Sequence, residues 1–235
     1  MMETDDERIL YAVRNTVILR APKQSLYTFG TTNIYYYLVT EPVYSELVNN
    51  VNETVVREGR VIAQKPRIVT PYYLSSLDGF SPEARRYFRK LVDTFGSDSR
   101  GLFYTYRNEP KELNIISENI QAVIEKLNSR IDEKGDPLSA IIKGQDNLWD
   151  VSLIKFIYEI TRSSLHDNLH QLDSRGLLDV DSKGIPADAR ERIEELFRKT
   201  RRGEIALSEL KDEIDRWGLF DEYEDRFYEV ARSRR

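Results

Sequence analysis

Between Arg8 and about Leu74, apolar residues alternate with polar ones or stand in short blocks rich in Val, Ile and Tyr, the signature of half-buried strands. The pattern predicts strands at residues 9–13, 16–19, 26–29, 34–39, 54–57, 60–63 and 68–70. Between the fifth and sixth of these, Glu58-Gly59 reads as a two-residue hairpin turn, because Gly adopts the positive φ such turns demand. Another turn at 30–33 leads into the tyrosine-rich strand. Pro42 ends that strand, having no N–H to give to a ladder, and residues 44–51 read as a short helix.

At Ser81-Pro82-Glu83 the period changes from two to 3.6. Ser suits an N-cap, Pro the first helical position, and Glu the positive end of the helix dipole. Ala84, Phe88, Leu91, Val92 and Phe95 then form one apolar stripe, stopped by Gly96. Residues 102–106 and 113–116 read as a hairpin around 107–110. From Ser117 onward the pattern is helical almost throughout. One helix, capped by Ser117, turns Ile120, Val123, Ile124, Leu127 and Ile131 inward, and residues 138–142 form a short apolar run before Gly144. Residues 151–160 are apolar around most of a helix circumference, which predicts a central position. Ser163 or Ser164 caps a further helix carrying Leu165, Leu169 and Leu172. Later helices open at Pro186, Ser208 and Asp221, with Gly203 and Gly218 as stops.

The elements describe an α+β fold: an N-terminal antiparallel sheet with one or two helices over residues 1–115, then a mostly helical region over 116–235. No linker rich in Pro, Gly or Ser separates them, so one continuous domain is equally compatible. A chain of 235 residues, 40% of them hydrophobic, is long enough for either.

Composition then narrows the chemistry. With 40 acidic and 35 basic residues the net charge is -5, which argues against wholesale electrostatic binding to nucleic acid or acidic membranes. The absence of Cys excludes disulfides, thiolate metal sites and a cysteine nucleophile. No apolar run nears the ~20 residues of a membrane-spanning helix, and the acidic start lacks the basic flank and apolar core of a secretory signal. The expectation is a cytoplasmic protein with no membrane partner. Neither of the glycine-rich phosphate loops nor a G-x-S-x-G elbow occurs.

Three constellations carry candidate chemistry. The first is aromatic: Tyr35, Tyr36, Tyr37, Tyr72, Tyr73, Tyr104 and Tyr106 fall in predicted strands or at their ends, with Arg57, Arg60 and Arg67 in neighbouring segments. In a run of three tyrosines at least one ring points away from the core. A face of Tyr and Arg can stack planar groups or anchor a protein partner.

The second is His166-Asp167-Asn168-Leu169-His170, which places both histidines of the chain four residues apart on a predicted helix, with Asp173 extending the stripe. Such a pair could share a divalent metal. The segment is similar to the H-E-x-x-H helix of zinc metalloproteases, with Asp167 where those enzymes carry Glu; the resemblance covers five residues and implies a metal-dependent hydrolase.

The third shares those residues: Ser163-Ser164-Leu165, Leu169, Leu172 and Gly176-Leu177-Leu178 resemble the recognition helix of winged-helix DNA-binding domains. That resemblance implies a DNA-binding segment over 150–182, with Arg162, Asn168 and Gln171 touching DNA. Against it, no Lys or Arg lies between Ser163 and Ser174, so the main driving force for phosphate contact is missing.

The basic group Arg198, Lys199, Arg201 and Arg202 sits where cations complement a helix C-terminus, which suffices to explain it. On balance the sequence predicts a non-catalytic binding or regulatory protein that recognises a partner through Tyr35, Tyr36, Tyr37, Tyr72, Tyr73, Arg57 and Arg60. The expected partner is a protein or a second copy of the chain, with nucleic acid as the alternative. No cofactor is expected, a divalent metal entering only with the hydrolase reading.

Overall fold

The computed structural model describes residues 5–46, 52–69, 101–183 and 185–233. Its elements are α1 (Asp5–Asn15), β1 (Val17–Arg20), β2 (Thr32–Thr40), β3 (Thr54–Ala63), β4 (Arg67–Val69), β5 (Gly101–Phe103), β6 (Tyr106–Ile116), α2 (Ile120–Lys134), β7 (Ser139–Lys143), α3 (Trp149–Asp173), α4 (Ala187–Arg202), α5 (Leu207–Arg216) and α6 (Phe220–Ser233). The fold is α+β, with a sheet from the N-terminal half and a largely helical C-terminal half. Contacts divide the chain into two compact units: residues 1–65 with 104–168, and residues 66–103 with 169–235. The end of β6, where composition changes near residue 115, lies inside the first unit.

The first unit is built on a five-stranded sheet in the order β1-β7-β2-β3-β6. Strands β2, β3 and β6 form an antiparallel meander. The chain then crosses back through α2 to β7, which pairs parallel to β2 and makes the sheet mixed. Helix α2 covers one face: Val123, Ile124, Leu127 and Ile131 pack on Tyr37, Val39, Val56 and Ile141. On the opposite face, the ring of Trp149 at the start of α3 lies under Arg57, and Thr161 meets the Tyr106 hydroxyl. Thus the sheet is sandwiched between two helices, as a sheet apolar on both faces requires.

The second unit packs α4, α5 and α6 around Ile193, Phe197, Leu210, Ile214, Trp217, Tyr223, Phe227 and Val230. Helix α4 opens at Pro186 and closes at Gly203, with Ala189, Ile193, Phe197 and Thr200 buried along one side at helical spacing. Glu213 is almost fully buried in this unit. Its Oε1 accepts from Arg192 Nε at 2.9 Å, and Arg67 and Arg216 stand 3.8 and 3.7 Å from Oε2. Three guanidiniums around one carboxylate offset the cost of removing it from water.

Several expected elements take a different form, each for an identifiable reason. Residues 9–13 belong to helix α1, with Ala12 buried and Ile9, Leu10 and Tyr11 exposed. A short apolar run has no period that separates strand from helix, and Arg14 at the C-terminal end suits the helix dipole. Residues 26–29 form no strand because side chains of α3 take their backbone groups: Ser164 Oγ accepts from Leu26 N at 2.9 Å, and Asn168 Nδ2 donates to Leu26 O at 2.8 Å.

Glu58-Gly59 is not a turn but the middle of a continuous β3, and residues 107–110 likewise run inside β6. Pro110 is tolerated there because β6 is an edge strand and its register shifts by one residue against Glu58 and Gly59. The apolar run 138–142 supplies most of β7. Asn119, not Ser117, caps α2, its Oδ1 accepting from Ala122 N at 2.9 Å. Of the expected helix at 44–51, the described part is a 3₁₀ turn at Val43–Glu46, and the helix expected after Ser81 lies outside the described residues.

Candidate recognition cleft

The tyrosine run lies in β2 against β3, and register decides where each ring goes. Tyr35 is directly opposite Arg60, Tyr36 opposite Gly59, and Tyr37 opposite Glu58. Cross-strand partners share a face and successive residues alternate, so Tyr35, Tyr37, Glu58 and Arg60 face α2 while Tyr36 and Arg57 face the other way. Only Tyr35 is open to solvent, at 44% exposure, against 1% for Tyr36 and 6% for Tyr37.

Tyr36 is therefore a core residue rather than a recognition residue. Its hydroxyl donates to Asn108 Oδ1 at 2.9 Å, and burial raises its pKa above the usual phenol range. Gly59 is what admits the ring: a Cβ at that position would fall on the Tyr36 hydroxyl and ring edge. Arg57, also proposed for the tyrosine face, sits on the opposite one. Its Nη1 donates to Asp146 Oδ1 at 2.6 Å, Thr40 Oγ1 donates to the same oxygen at 2.9 Å, and the guanidinium lies over the Trp149 ring at 5.6 Å. Tyr72 and Tyr73 lie outside the described residues.

On the α2 side, a cleft of about 520 Å³ opens beside Tyr35. Its lining comes from β2, β3, β6, α2 and the start of β7: Tyr35, Glu58, Arg60, Glu109, Lys111, Arg130, Lys134, Asp136 and Ser139 carry its polar chemistry. The sequence folds this way locally for simple reasons. Arg130 and Lys134 are four residues apart on α2, so they project from one side of the helix. Gly135, in the left-handed region at φ 64°, closes α2 and turns the chain so that Asp136 and Ser139 arrive beside β2.

The charges of the cleft are arranged pair by pair. Arg130 grips Glu58 with both terminal nitrogens, Nη1 to Oε1 at 3.1 Å and Nη2 to Oε2 at 3.3 Å, and its guanidinium lies 5.3 Å from the Tyr37 ring centre. Burial pushes the Tyr37 phenol up, with Arg130 opposing the shift. Arg60 Nε donates to Glu109 Oε2 at 3.1 Å, and Arg107 donates to Glu109 Oε1. The hydrogen bond from Arg60 holds the Glu109 carboxyl below its ordinary range. Asp136 Oδ1 accepts from Leu138 N at 2.9 Å, and Oδ2 from Ser139 Oγ at 3.1 Å. Lys111 and Lys134 are exposed and make no hydrogen bond or ion pair among the described residues.

Of the expected recognition residues, the structure thus brings Tyr35 and Arg60 to the cleft with their side chains, and Tyr37 as its buried floor. Lys111, Arg130, Lys134 and Asp136 escaped the sequence reading. A signal existed for two of them, the i, i+4 cations Arg130 and Lys134 on the polar side of an amphipathic helix. Lys111 was hidden by reading 107–110 as a turn.

The residues of the other two constellations lie along α3. Because α3 runs unbroken from Trp149 to Asp173, there is no helix-turn-helix at residues 160–163. Ser163 and Ser164 cap nothing; their hydroxyls donate back to Ile160 O at 3.0 and 2.7 Å. Asn168 is fully buried, its Nδ2 donating to Leu26 O and Thr28 Oγ1 and its Oδ1 accepting from the Tyr104 hydroxyl. It has nothing left to offer a base edge, which corrects its expected role, while Arg162 and Gln171 are exposed. His166, His170 and Asp173 are likewise exposed, and among the described residues no three His, Cys, Asp or Glu side chains group as a metal-ligand set.

No protein-family model matches the chain, and neither a curated protein nor a solved structure matches it.

Proposed function

We propose that this chain is a non-catalytic binding or regulatory protein and that it recognises its partner at the Tyr35 cleft. One observation carries the reading: the exposed ring of Tyr35 lines the same depression as Arg60, Arg130, Lys111 and Lys134, walled by strands and a helix of one unit. Its volume falls within the roughly 300–1,000 Å³ of clefts that hold small molecules or projecting side chains. Sites placed on strands and helices hold their geometry better than sites on loops. The cleft lining contains no His or Cys, and its carboxylates are all engaged as ion-pair or turn acceptors, which suits recognition better than proton transfer.

A fragment-mixture screen read by backbone amide NMR tests this. Hits are expected to shift the amides of Tyr35, Arg60, Lys134 and Ser139, and to be lost in Tyr35→Ser. Hits that gather elsewhere, with those amides silent, would overturn the reading.

A further inference from the structure

We infer that the group the cleft receives is an anion, a carboxylate or phosphate borne next to a planar ring. The inference rests on the reading of the cleft as the recognition site and adds the chemistry of what enters it. Each carboxylate oxygen of Glu58, Glu109 and Asp136 already accepts a hydrogen bond: Glu58 from Arg130, Glu109 from Arg60 and Arg107, Asp136 from Leu138 N and Ser139 Oγ. The acidic side of the cleft is therefore spoken for. On the basic side, Lys111 and Lys134 line the same space, and their ammonium groups bond to no described residue. An ammonium has three donors and no acceptor, so the unspent capacity of the site is that of a donor.

An entering cation would meet only carboxylates whose oxygens are already occupied by guanidinium, amide or hydroxyl donors. Glu58 and Glu109 already face guanidiniums that offset their charge, so an entering cation gains little from them. An entering anion meets two uncommitted cations, and charge-assisted hydrogen bonds of this kind are roughly twice as strong as neutral ones. The exposed Tyr35 ring supplies the second half of the specificity. It stands directly across from Arg60 on the same face of the sheet, so the ring offers a surface on which a planar group can lie beside a guanidinium.

The experiment is a set of NMR titrations of the full chain with phenyl phosphate, benzoate, benzamide and benzylamine, at low and at high salt. Phenyl phosphate and benzoate are expected to shift the amides of Tyr35, Arg60 and Ser139, more weakly at high salt. Lys111→Gln and Lys134→Gln should each weaken phenyl phosphate by about three- to fivefold, and the double variant by about tenfold. Lys199→Gln, in the second unit, should change nothing. Both lysines are exposed, so these variants fold. A tyrosine-phosphorylated peptide, run beside free phenyl phosphate, names the source: tighter binding of the peptide assigns the anion to a protein partner, weaker or equal binding to a small molecule, and either supports the anion site. Benzylamine or benzamide binding the cleft as tightly as phenyl phosphate, or a double lysine variant that binds like the parent, overturns the inference while leaving the cleft as a recognition site. Silence of the cleft toward every probe and every fragment takes down both.

Discussion

The two faces of the central sheet are built from the same kinds of residue and put them to different use. On the α3 side, Arg57, Asp146, Thr40 and Trp149 form a knot in which both charged side chains are 16% exposed. On the α2 side, Arg130, Glu58 and Tyr37 form a similar trio of cation, carboxylate and ring, yet Arg130 is 46% exposed and the cleft opens beside it. Both have a guanidinium near an aromatic ring and bound to a carboxylate. What separates them is solvent access and unspent valence: the first knot is closed, whereas the second is bordered by lysines that bond to no described residue. A constellation of Arg, acid and aromatic is therefore not by itself a recognition signal, and the neighbours that remain unpaired decide.

The comparison can be broken most forcefully at Tyr36, which faces the closed side. Tyr36→Ala removes a fully buried ring and its bond to Asn108, and should cost about 3–5 kcal/mol in denaturant unfolding. A loss below about 1 kcal/mol would return that ring to the surface, where only substitutions of little energetic consequence are expected. Gly59→Ala crowds the same ring and should cost about 1–3 kcal/mol, and combined with Tyr36→Ala the loss should be smaller than the sum.

Next in size is the contrast between the two ion pairs. Asp146→Ala leaves Arg57 without its carboxylate in a nearly closed site and should destabilise by about 1–3 kcal/mol. Glu58→Gln, which leaves the half-exposed Arg130 free to turn to solvent, should cost less than about 1 kcal/mol. Equal losses in thermal or chemical denaturation would erase the distinction between a knot and a cleft. Smaller again, Tyr35→Ser should change stability by no more than about 0.5 kcal/mol while abolishing fragment binding.

The smallest effect is a titration. The Glu109 carboxyl is held low by the hydrogen bond from Arg60, so its midpoint by carboxyl-carbon NMR should lie below that of an ordinary glutamate and rise in Arg60→Gln. Because the folded-state value is depressed, the stabilising contribution is present above the unfolded value and fades as pH falls through the folded midpoint. A midpoint unmoved by Arg60→Gln would remove Arg60 as its cause.

Much of the helical half was legible because its signals are local. Pro186 before α4, Gly203 after it, and the 3.6-residue spacing of Ile193 and Phe197 are readable within a few residues of chain. The sheet was legible as sheet but not in its joints. Glu58-Gly59 reads as a turn from its neighbours, and only the Tyr36 ring across the ladder explains a glycine in mid-strand. Likewise Arg107-Asn108-Glu109-Pro110 reads as a loop until the register with β3 is known, and that misreading hid Lys111. Ser163 and Ser164 resemble caps because a hydroxyl that ends one helix can equally bond back within another.

Alone, the sequence determined that the chain folds as α+β, that its last helices form a packed cluster, and that tyrosine and arginine concentrate on the strands. Tertiary structure decided which of those tyrosines is available. Alternation along a strand is local, but the face to which each residue turns, and whether a helix then covers it, depends on pairings between β2, β3 and β7 that lie far apart in the chain. The cleft exists because α2 crosses back over those strands and brings Arg130 and Lys134 beside Tyr35, a proximity that no short stretch of residues encodes.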